Sequence, residues 1–348
     1  MKAKLPVRKA ILQRHTYEAP TEGRAGKIRL DFNENTSGCS ETARRALRKL
    51  TAKEWAMYPE YEVPTRKLAK YFRVHPDELA LTNGGDDALR VFFDTFVDPG
   101  SSILICEPTF PMYRYYAEIA GARIHSLPYN EEMEFPLEAA LKALRKKPRV
   151  FFLANPNNPT GTLVEKTAIL KILRAATRTV VVLDEAYSDF SGSSFTKEIR
   201  KFPNLFIAKT FSKAAGLAGL RLGAVIAQRS SLSLVRRAMP PFPVNQAALV
   251  AAVAAVEERA TIAKYIENVK QLRSWLTFEL QQRGPEVYPA HGNFLLVDFG
   301  HNGPAIFKQL ARKKILIRER PELGPGFARI TIGTRQELRA LLQVLDSD

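Results

Sequence analysis

Residues 150–187 read VFFLANPNNPTGTLVEKTAILKILRAATRTVVVLDEAY, and this stretch decides the fold. It opens on an apolar run, Val150–Ala154, and closes on another, Thr179–Leu183. Runs that are apolar almost throughout, rather than at alternate positions, fit strands of a parallel sheet covered on both faces. Between them lies Glu165–Ala176, an amphipathic stretch of helical length. Strand, helix and strand in that order make one unit of an α/β fold.

The rhythm repeats outward. Leu79–Thr82, Ser102–Cys106, Arg123–Leu127, Leu205–Ala208 and Leu222–Ala227 are further β-rich runs, and Pro136–Lys146 is a second amphipathic stretch. The sequence predicts a mostly parallel central sheet flanked by helices. The last two runs have no long helix between them, which admits an antiparallel strand there. Upstream, some forty polar, turn-rich residues hold one short extended piece, Lys27–Phe32. Downstream of Pro243 the pattern changes. Asn245–Gln282 reads as one long helical region, open to a break. Strands at Asn293–Phe299, Ile315–Ile317 and Ala328–Ile332, a helix after Pro304 and a last helix at Arg335–Leu345 then predict a smaller α+β domain. The expected division is an N-terminal arm with part of the small domain over 1–38, a large domain over 39–246 and the small C-terminal domain over 247–348.

The composition of the 348 residues, 45% apolar and 25% charged, excludes disordered and fibrous classes. No apolar run reaches the length a membrane helix needs, and the first residues carry no apolar leader core. Two cysteines, Cys39 and Cys106, support neither a disulfide framework nor a zinc site. A cytoplasmic protein without a metal is expected. Lys and Arg number 52 against 36 Asp and Glu, a net charge of +16. Nucleic-acid binding is not the expected role, because the basic residues are dispersed in short clusters such as Arg145-Lys146-Lys147 and no aromatic residues interleave with them. An anionic substrate suits the same charge.

In an open α/β sheet, ligands sit beyond the carboxyl ends of the strands. The polar residues that follow the apolar runs are therefore the candidates. They are Asn83-Gly84-Gly85-Asp86-Asp87, then Asn155–Gly161, then Asp184-Glu185-Ala186-Tyr187, then Lys209-Thr210-Phe211-Ser212-Lys213. A glycine turn, an amide, a carboxylate, a phenol, two hydroxyls and lysines come to one edge. Each alone reads as turn chemistry, a helix cap or a solvated charge. Their joint order at successive strand ends points to a site.

These segments resemble the pyridoxal-phosphate enzymes of fold type I, the class I and II aminotransferases. The resemblance rests on NPNNPTG at 155–161, DEAY at 184–187 and TFSKAAGLAGLRLG at 210–223. More narrowly the chain is similar to the histidinol-phosphate aminotransferase branch, through LDFNEN at 30–35, Tyr58-Pro59, TNGGDDAL at 82–89, PTFPMY at 108–113 and RITIGT at 329–334. The resemblance implies pyridoxal 5'-phosphate as cofactor, an amino donor and a 2-oxo acid acceptor as partners, and a homodimer with active sites at its interface. Aromatic-amino-acid aminotransferases and a threonine-phosphate decarboxylase are the neighbouring alternatives within it.

The resemblance also implies roles. Lys213 would form the Schiff base and carry the α-proton, and Asp184 would pair with the pyridine nitrogen. Tyr187 and Asn158 would bond the phenolate oxygen, and Tyr113 would stack on the ring. Backbone N–H groups of Gly84, Gly85 and Asp86, at the start of a helix opening at Asp87, would cradle the phosphate. Thr210, Ser212 and Arg221 would complete that cradle, joined by Tyr58 from the partner subunit. Arg329 would clamp a substrate anion beside Arg318, with Tyr17 and Asn35 closing the substrate side. The chain departs from the branch at three places: Thr36 in place of a proline, Gly85 in place of a serine, and His291 before Gly292-Asn293. The last reads as a surface histidine.

Overall fold

The computed structural model describes residues 5–12 and 21–346. Its strands, in chain order, begin with β1 (Ile28–Leu30), β2 (Leu79–Thr82), β3 (Ser102–Glu107) and β4 (Arg123–Pro128). They continue with β5 (Val150–Ala154), β6 (Val180–Asp184), β7 (Leu205–Thr210) and β8 (Gly223–Ala227). The last four are β9 (Glu286–Val287), β10 (Phe294–Asp298), β11 (Ile315–Glu319) and β12 (Phe327–Thr331).

The large sheet has the order β2-β8-β7-β6-β5-β3-β4. Its strands are parallel except β8, which runs antiparallel to both β2 and β7. The link from β7 to β8 holds only a 3-10 turn, Ala218–Leu220, and no α-helix of the kind that usually carries a parallel crossover. Alternate residues of each strand enter different cores. Phe151 and Leu153 of β5 pack with the helix Lys166–Ala175, while Val150, Phe152 and Ala154 pack with the helix Gly84–Phe96. Burial on both faces is why β5 is apolar at every position, whereas the edge strand β4, RIHSLP, is largely exposed.

The second sheet has the order β1-β11-β12-β10-β9. It packs with the helices Arg259–Gln281, Gly303–Arg312 and Arg335–Leu345 around a third core. β1 joins this sheet in parallel with β11, so the N-terminal segment is part of it. The long helical region is two helices, Gln246–Glu257 and Arg259–Gln281, broken at Glu258. The first has its apolar residues, up to Val256, in the core of the large sheet. That core therefore extends past residue 246, where the sequence pattern places the boundary. Thr36, the departure from proline, donates to Glu337 Oε2 at 2.6 Å and ties the N-terminal segment to the last helix.

One edge of the large sheet collects the carboxyl ends of β5, β6 and β7. Thr82 of β2 and Thr210 of β7 both face Gly223 of the antiparallel β8, which brings the turn after β2 to the same edge. Gly223 is needed for that approach: a Cβ there would lie 2.5 Å from the backbone of Gly84.

Candidate active site

A cavity of about 470 Å³ opens at this edge, walled by the large sheet on one side and by the small sheet's arginines on the other. Lys213 follows β7 in the loop that leads to β8. Its Nζ donates to the carbonyl of Phe32 at 2.8 Å. Burial, with Arg329 adding cationic repulsion, lowers its amine to a pKa of about 8. A lysine so placed reaches its nucleophilic, unprotonated form close to neutral pH.

Asp184 ends β6. Its Oδ2 accepts from the Tyr113 hydroxyl at 2.7 Å and its Oδ1 from the Ala186 N–H at 3.0 Å. Burial pushes the Asp184 carboxyl above its ordinary range, while these two bonds pull it back. Such a carboxylate is served by a cation in front of it. Tyr113 is fully buried and stacks on Phe152, with ring centroids 5.6 Å apart. Phe152 stacks in turn on Phe93 at 4.7 Å. The sheet's own packing thus fixes the phenol that holds Asp184.

Tyr187 accepts a hydrogen bond on its hydroxyl from Asn33 Nδ2 at 2.9 Å, and its ring lies 5.8 Å from Lys213 Nζ. Burial raises its phenol, against the opposing pull of Arg329 and Asn33. Asn33 is anchored by the Thr331 hydroxyl, which bonds both its backbone N–H and its side chain. Asn158 Oδ1 accepts from Arg329, and the same guanidinium donates to the carbonyl of Asp31. Arg329 is buried, which lowers its pKa to about 10, with Arg320 and Arg318 contributing repulsion. Its Nε is buried without a hydrogen-bond partner.

At the far end, the helix Gly84–Phe96 starts at Gly84, three residues before the expected Asp87. The N–H groups of Gly84, Gly85 and Asp86 therefore belong to its first turn, where a helix has no internal acceptor to offer them. Arg221 lies across this turn and donates to Asp86 Oδ2 at 2.9 Å. Gly84 has φ +83°, and a Cβ there would lie 2.7 Å from the Arg221 guanidinium. Thr210 and Ser212 present hydroxyls to the same corner, and the Thr210 oxygen accepts from the Ser212 N–H at 3.1 Å.

Of the residues selected from sequence, Gly85, Asp86, Tyr113, Asn158, Asp184, Tyr187, Thr210, Ser212, Lys213, Arg221, Arg318 and Arg329 line this one cavity. Gly84 supports it from behind. Asn35 does not line it: its Oδ1 accepts from the Ser37 N–H at 3.0 Å and shapes the turn there. Tyr58 is 78% exposed and stacks on Phe242 with centroids 4.4 Å apart, away from the cavity of its own chain. Tyr17 lies outside the described residues. His291 is half-buried, its imidazole lowered by burial and by Arg273, and it is not among the cavity's lining residues.

Arg320, Glu34 and Lys209 also stand on the wall; Lys209 is among the strand-end candidates and Glu34 lies in LDFNEN, but the sequence reading assigned none of the three a role. Arg320 stands two residues after Arg318 at the end of β11, a spacing that returns a strand side chain to the same face. Glu34 bonds Arg24 at 2.9 Å and also pairs with Arg29. Lys209 forms a buried pair with Glu185 at 2.6 Å and donates to Ser188 Oγ at 2.7 Å. Nothing in the chain order announces that pair.

The residues present fit pyridoxal phosphate, the cofactor implied by the resemblance. The first turn with Thr210, Ser212 and Arg221 is an anion cradle that a Cβ at Gly84 would invade. Asp184 is a buried carboxylate suited to a protonated ring nitrogen, and Lys213 is an amine suited to an aldehyde. The distinct arginine wall leaves room for a second anion.

Comparisons with known proteins agree with this geometry. The sequence profile of the family "Aminotransferase class I and II" matches residues 25–345. A curated histidinol-phosphate aminotransferase of Geobacillus sp. (strain WCH70) is 34% identical over 327 residues, 91% of this chain and 89% of that protein. The histidinol-phosphate aminotransferase of Bacillus subtilis (strain 168) is likewise 34% identical, over 91% of this chain and 90% of its own. The crystal structure of histidinol-phosphate aminotransferase from Sinorhizobium meliloti, in complex with pyridoxal-5'-phosphate, superposes with a TM-score of 0.90 over 99% of both chains at 24% identity. That last likeness establishes the fold.

Proposed function

We propose that this chain, which belongs to the class I and II aminotransferase family, is a pyridoxal-phosphate-dependent transaminase that moves the amino group of L-histidinol phosphate to 2-oxoglutarate, yielding imidazole-acetol phosphate and L-glutamate. The observation that carries this reading is the pair of anion sites flanking Lys213. One is the cradle of Gly85, Thr210, Ser212 and Arg221, and the other is the wall of Arg318, Arg320 and Arg329. The first suits the cofactor's phosphate. The second must then take the substrate phosphate in one half-reaction and the α-carboxylate of glutamate in the other. An arginine meets both anions in bidentate fashion.

When bound, the cofactor supplies an aldehyde that condenses with amines and a ring that withdraws electrons from the substrate Cα. The chain's residues do the rest. Asp184, held by Tyr113, keeps a proton on the ring nitrogen. Tyr187 and Asn158 hold the phenolic oxygen, and Asn33 fixes the orientation of Tyr187. Lys213 Nζ, unprotonated above about pH 8, takes the proton from Cα, a general-base contribution of about 10²–10⁴-fold. Arg329, fixed by Asn158 and Asp31, sets the height of the substrate over Lys213 and so its geometry of attack.

The same reading makes the enzyme a homodimer whose Tyr58 reaches the partner's phosphate cradle. Tyr58, Trp55, Met57 and Phe242 form an exposed apolar group that supports it. A cytoplasmic location is part of the proposal, in keeping with two unpaired cysteines. Among the described residues, no helix is long and apolar enough to cross a membrane.

Single-turnover absorbance tests the substrate. The cofactor-loaded protein is mixed separately with L-histidinol phosphate, L-phenylalanine and L-glutamate, and the visible absorbance is followed. Rapid bleaching by histidinol phosphate and glutamate is expected. Rapid bleaching by phenylalanine, with little by histidinol phosphate, would move the substrate to aromatic amino acids. Threonine phosphate losing CO₂ would move the reaction to decarboxylation.

A further inference from the structure

The opposite edge of the large sheet holds a second cavity of about 460 Å³, and the active-site reading makes no use of it. Its walls carry Arg123, Lys146, Lys147, Arg149 and Arg178, with Ser101 and Ser102 between them. No carboxylate or aromatic side chain lines it.

The order in the cleft comes from the sheet. Ser102 of β3 is in register with Arg123 of β4, Ile103 with Val150 of β5, and Val150 with Val180 of β6. Arg149 immediately precedes β5, and Arg178 stands two residues before β6. The amino ends of four adjacent strands, β4, β3, β5 and β6, thus form one row. Three strand spacings give it a length of about 14 Å. The backbone is pinned along the row: Arg123 N–H donates to Ser101 O at 2.8 Å, Arg149 N–H to Ser102 O at 2.7 Å, and Val180 N–H to Arg149 O at 3.1 Å. Lys147, at φ +54°, turns the chain from the preceding helix into β5 and completes the wall.

These cations are hardly neutralised. Arg149 has Asp98 at 3.7 Å, and that carboxylate is 84% exposed. Arg123 Nε donates to the Gly100 carbonyl at 3.0 Å. Among the described residues, Lys146, Lys147 and Arg178 take part in no ion pair. Like charges gathered in a concave site, with low-dielectric walls focusing the field, attract a counter-anion. Transamination makes no demand on this edge, which lies the length of a strand away from Lys213.

We propose that this cleft binds a compact anion carrying several phosphate groups. Its volume is that of a small-molecule site. The row of guanidinium and ammonium groups suits consecutive phosphates, with the serine hydroxyls as further donors. The lack of an aromatic stacking surface disfavours single-stranded nucleic acid as the occupant.

Isothermal titration of the cofactor-loaded enzyme with inorganic tripolyphosphate, at about 0.15 M salt, tests the proposal. One ion per chain is expected to bind, with the cofactor's visible spectrum unchanged. The double variant Arg149→Glu/Arg178→Glu should lose about tenfold or more in affinity and keep its transamination rate, since neither residue touches the active-site cavity. If the double reversal does not fold, Arg123→Gln/Arg178→Gln replaces it with the same expectation. No binding up to about 1 mM, undiminished binding by the folded variant, or a spectral change that places the ion in the active site would each overturn the proposal. So would tighter binding of a single-stranded oligonucleotide than of tripolyphosphate.

Discussion

Replacing Gly84 with alanine tests the phosphate cradle at the point where the backbone leaves least room. Gly84 has φ +83°, and a β-carbon there would lie 2.7 Å from one guanidinium nitrogen of Arg221 and 3.0 Å from its central carbon. Two costs follow. An L-residue in the left-handed region costs about 1–2 kcal/mol in the folded state. The Arg221 side chain must also move, leaving its bond to Asp86 Oδ2 at 2.9 Å and its place over the helix's first turn. A charge-assisted bond to a phosphate is worth about 1.5–3 kcal/mol. If Arg221 contributes one such bond, displacing it weakens cofactor binding by about 10- to 150-fold. Titration of the apo-protein with pyridoxal phosphate, read by visible absorbance, gives the affinity, and urea unfolding gives the stability. Expected are a loss of about 1–2 kcal/mol in stability and the weaker binding just stated. Wild-type affinity in a folded Gly84→Ala protein would refute the reasoning, because Arg221 would then not be part of the cradle.

Lys213→Met should stop transamination and yet stabilise the apo-protein at pH 7, since burial holds the amine at about pKa 8 against an ordinary 10.5. The unfolded chain binds the proton more tightly, so wild-type stability rises as pH goes from 8 to 10.5. The variant's advantage, about 1–3 kcal/mol at pH 7 after solvent screening, should shrink over that window; urea unfolding at pH 7 and pH 10 checks it, and an advantage that grows with pH would contradict the assignment. Arg329→Gln should raise KM for glutamate and histidinol phosphate by about 10- to 150-fold, while cofactor affinity, measured by titration, stays within a few-fold. Phe242→Asp, next to the exposed Tyr58, should convert the proposed dimer of 39.1 kDa chains to monomer in sedimentation and lower cofactor affinity; an active dimeric variant would show that Tyr58 and Phe242 lie outside the interface.

Much of the site was legible because strand ends are legible. Asp184, Thr210 and Lys213 each follow an apolar run within a few residues, and a parallel sheet brings such ends to one edge. The start of the helix Gly84–Phe96 lies three residues before the expected Asp87, because glycines 84 and 85 read as a turn. They in fact open the helix, with Gly84 in a left-handed conformation. Asn35 was selected from its motif; in the structure its Oδ1 accepts from the Ser37 N–H and it is not among the cavity's lining residues. An alanine-rich helix carries no pattern naming its partner, and Ala248, Leu249, Ala251, Ala252, Ala255 and Val256, beyond the expected boundary at 246, join the core that also holds Ala43, Leu68 and Ala69.

The sequence by itself determined the α/β class, the edge that carries the site and the chemical types gathered there. Hydrophobic period and turn chemistry are local properties, written within a few residues of each element. Only the tertiary structure decided what those groups face. Tyr113 bonds Asp184 across 71 positions, Arg329 bonds Asn158 across 171, and Lys213 bonds Phe32 across 181. The lowered amine of Lys213 and the five-cation row at the other end of the sheet are likewise products of burial and register. Those depend on which distant segments pack together, and no local pattern encodes them.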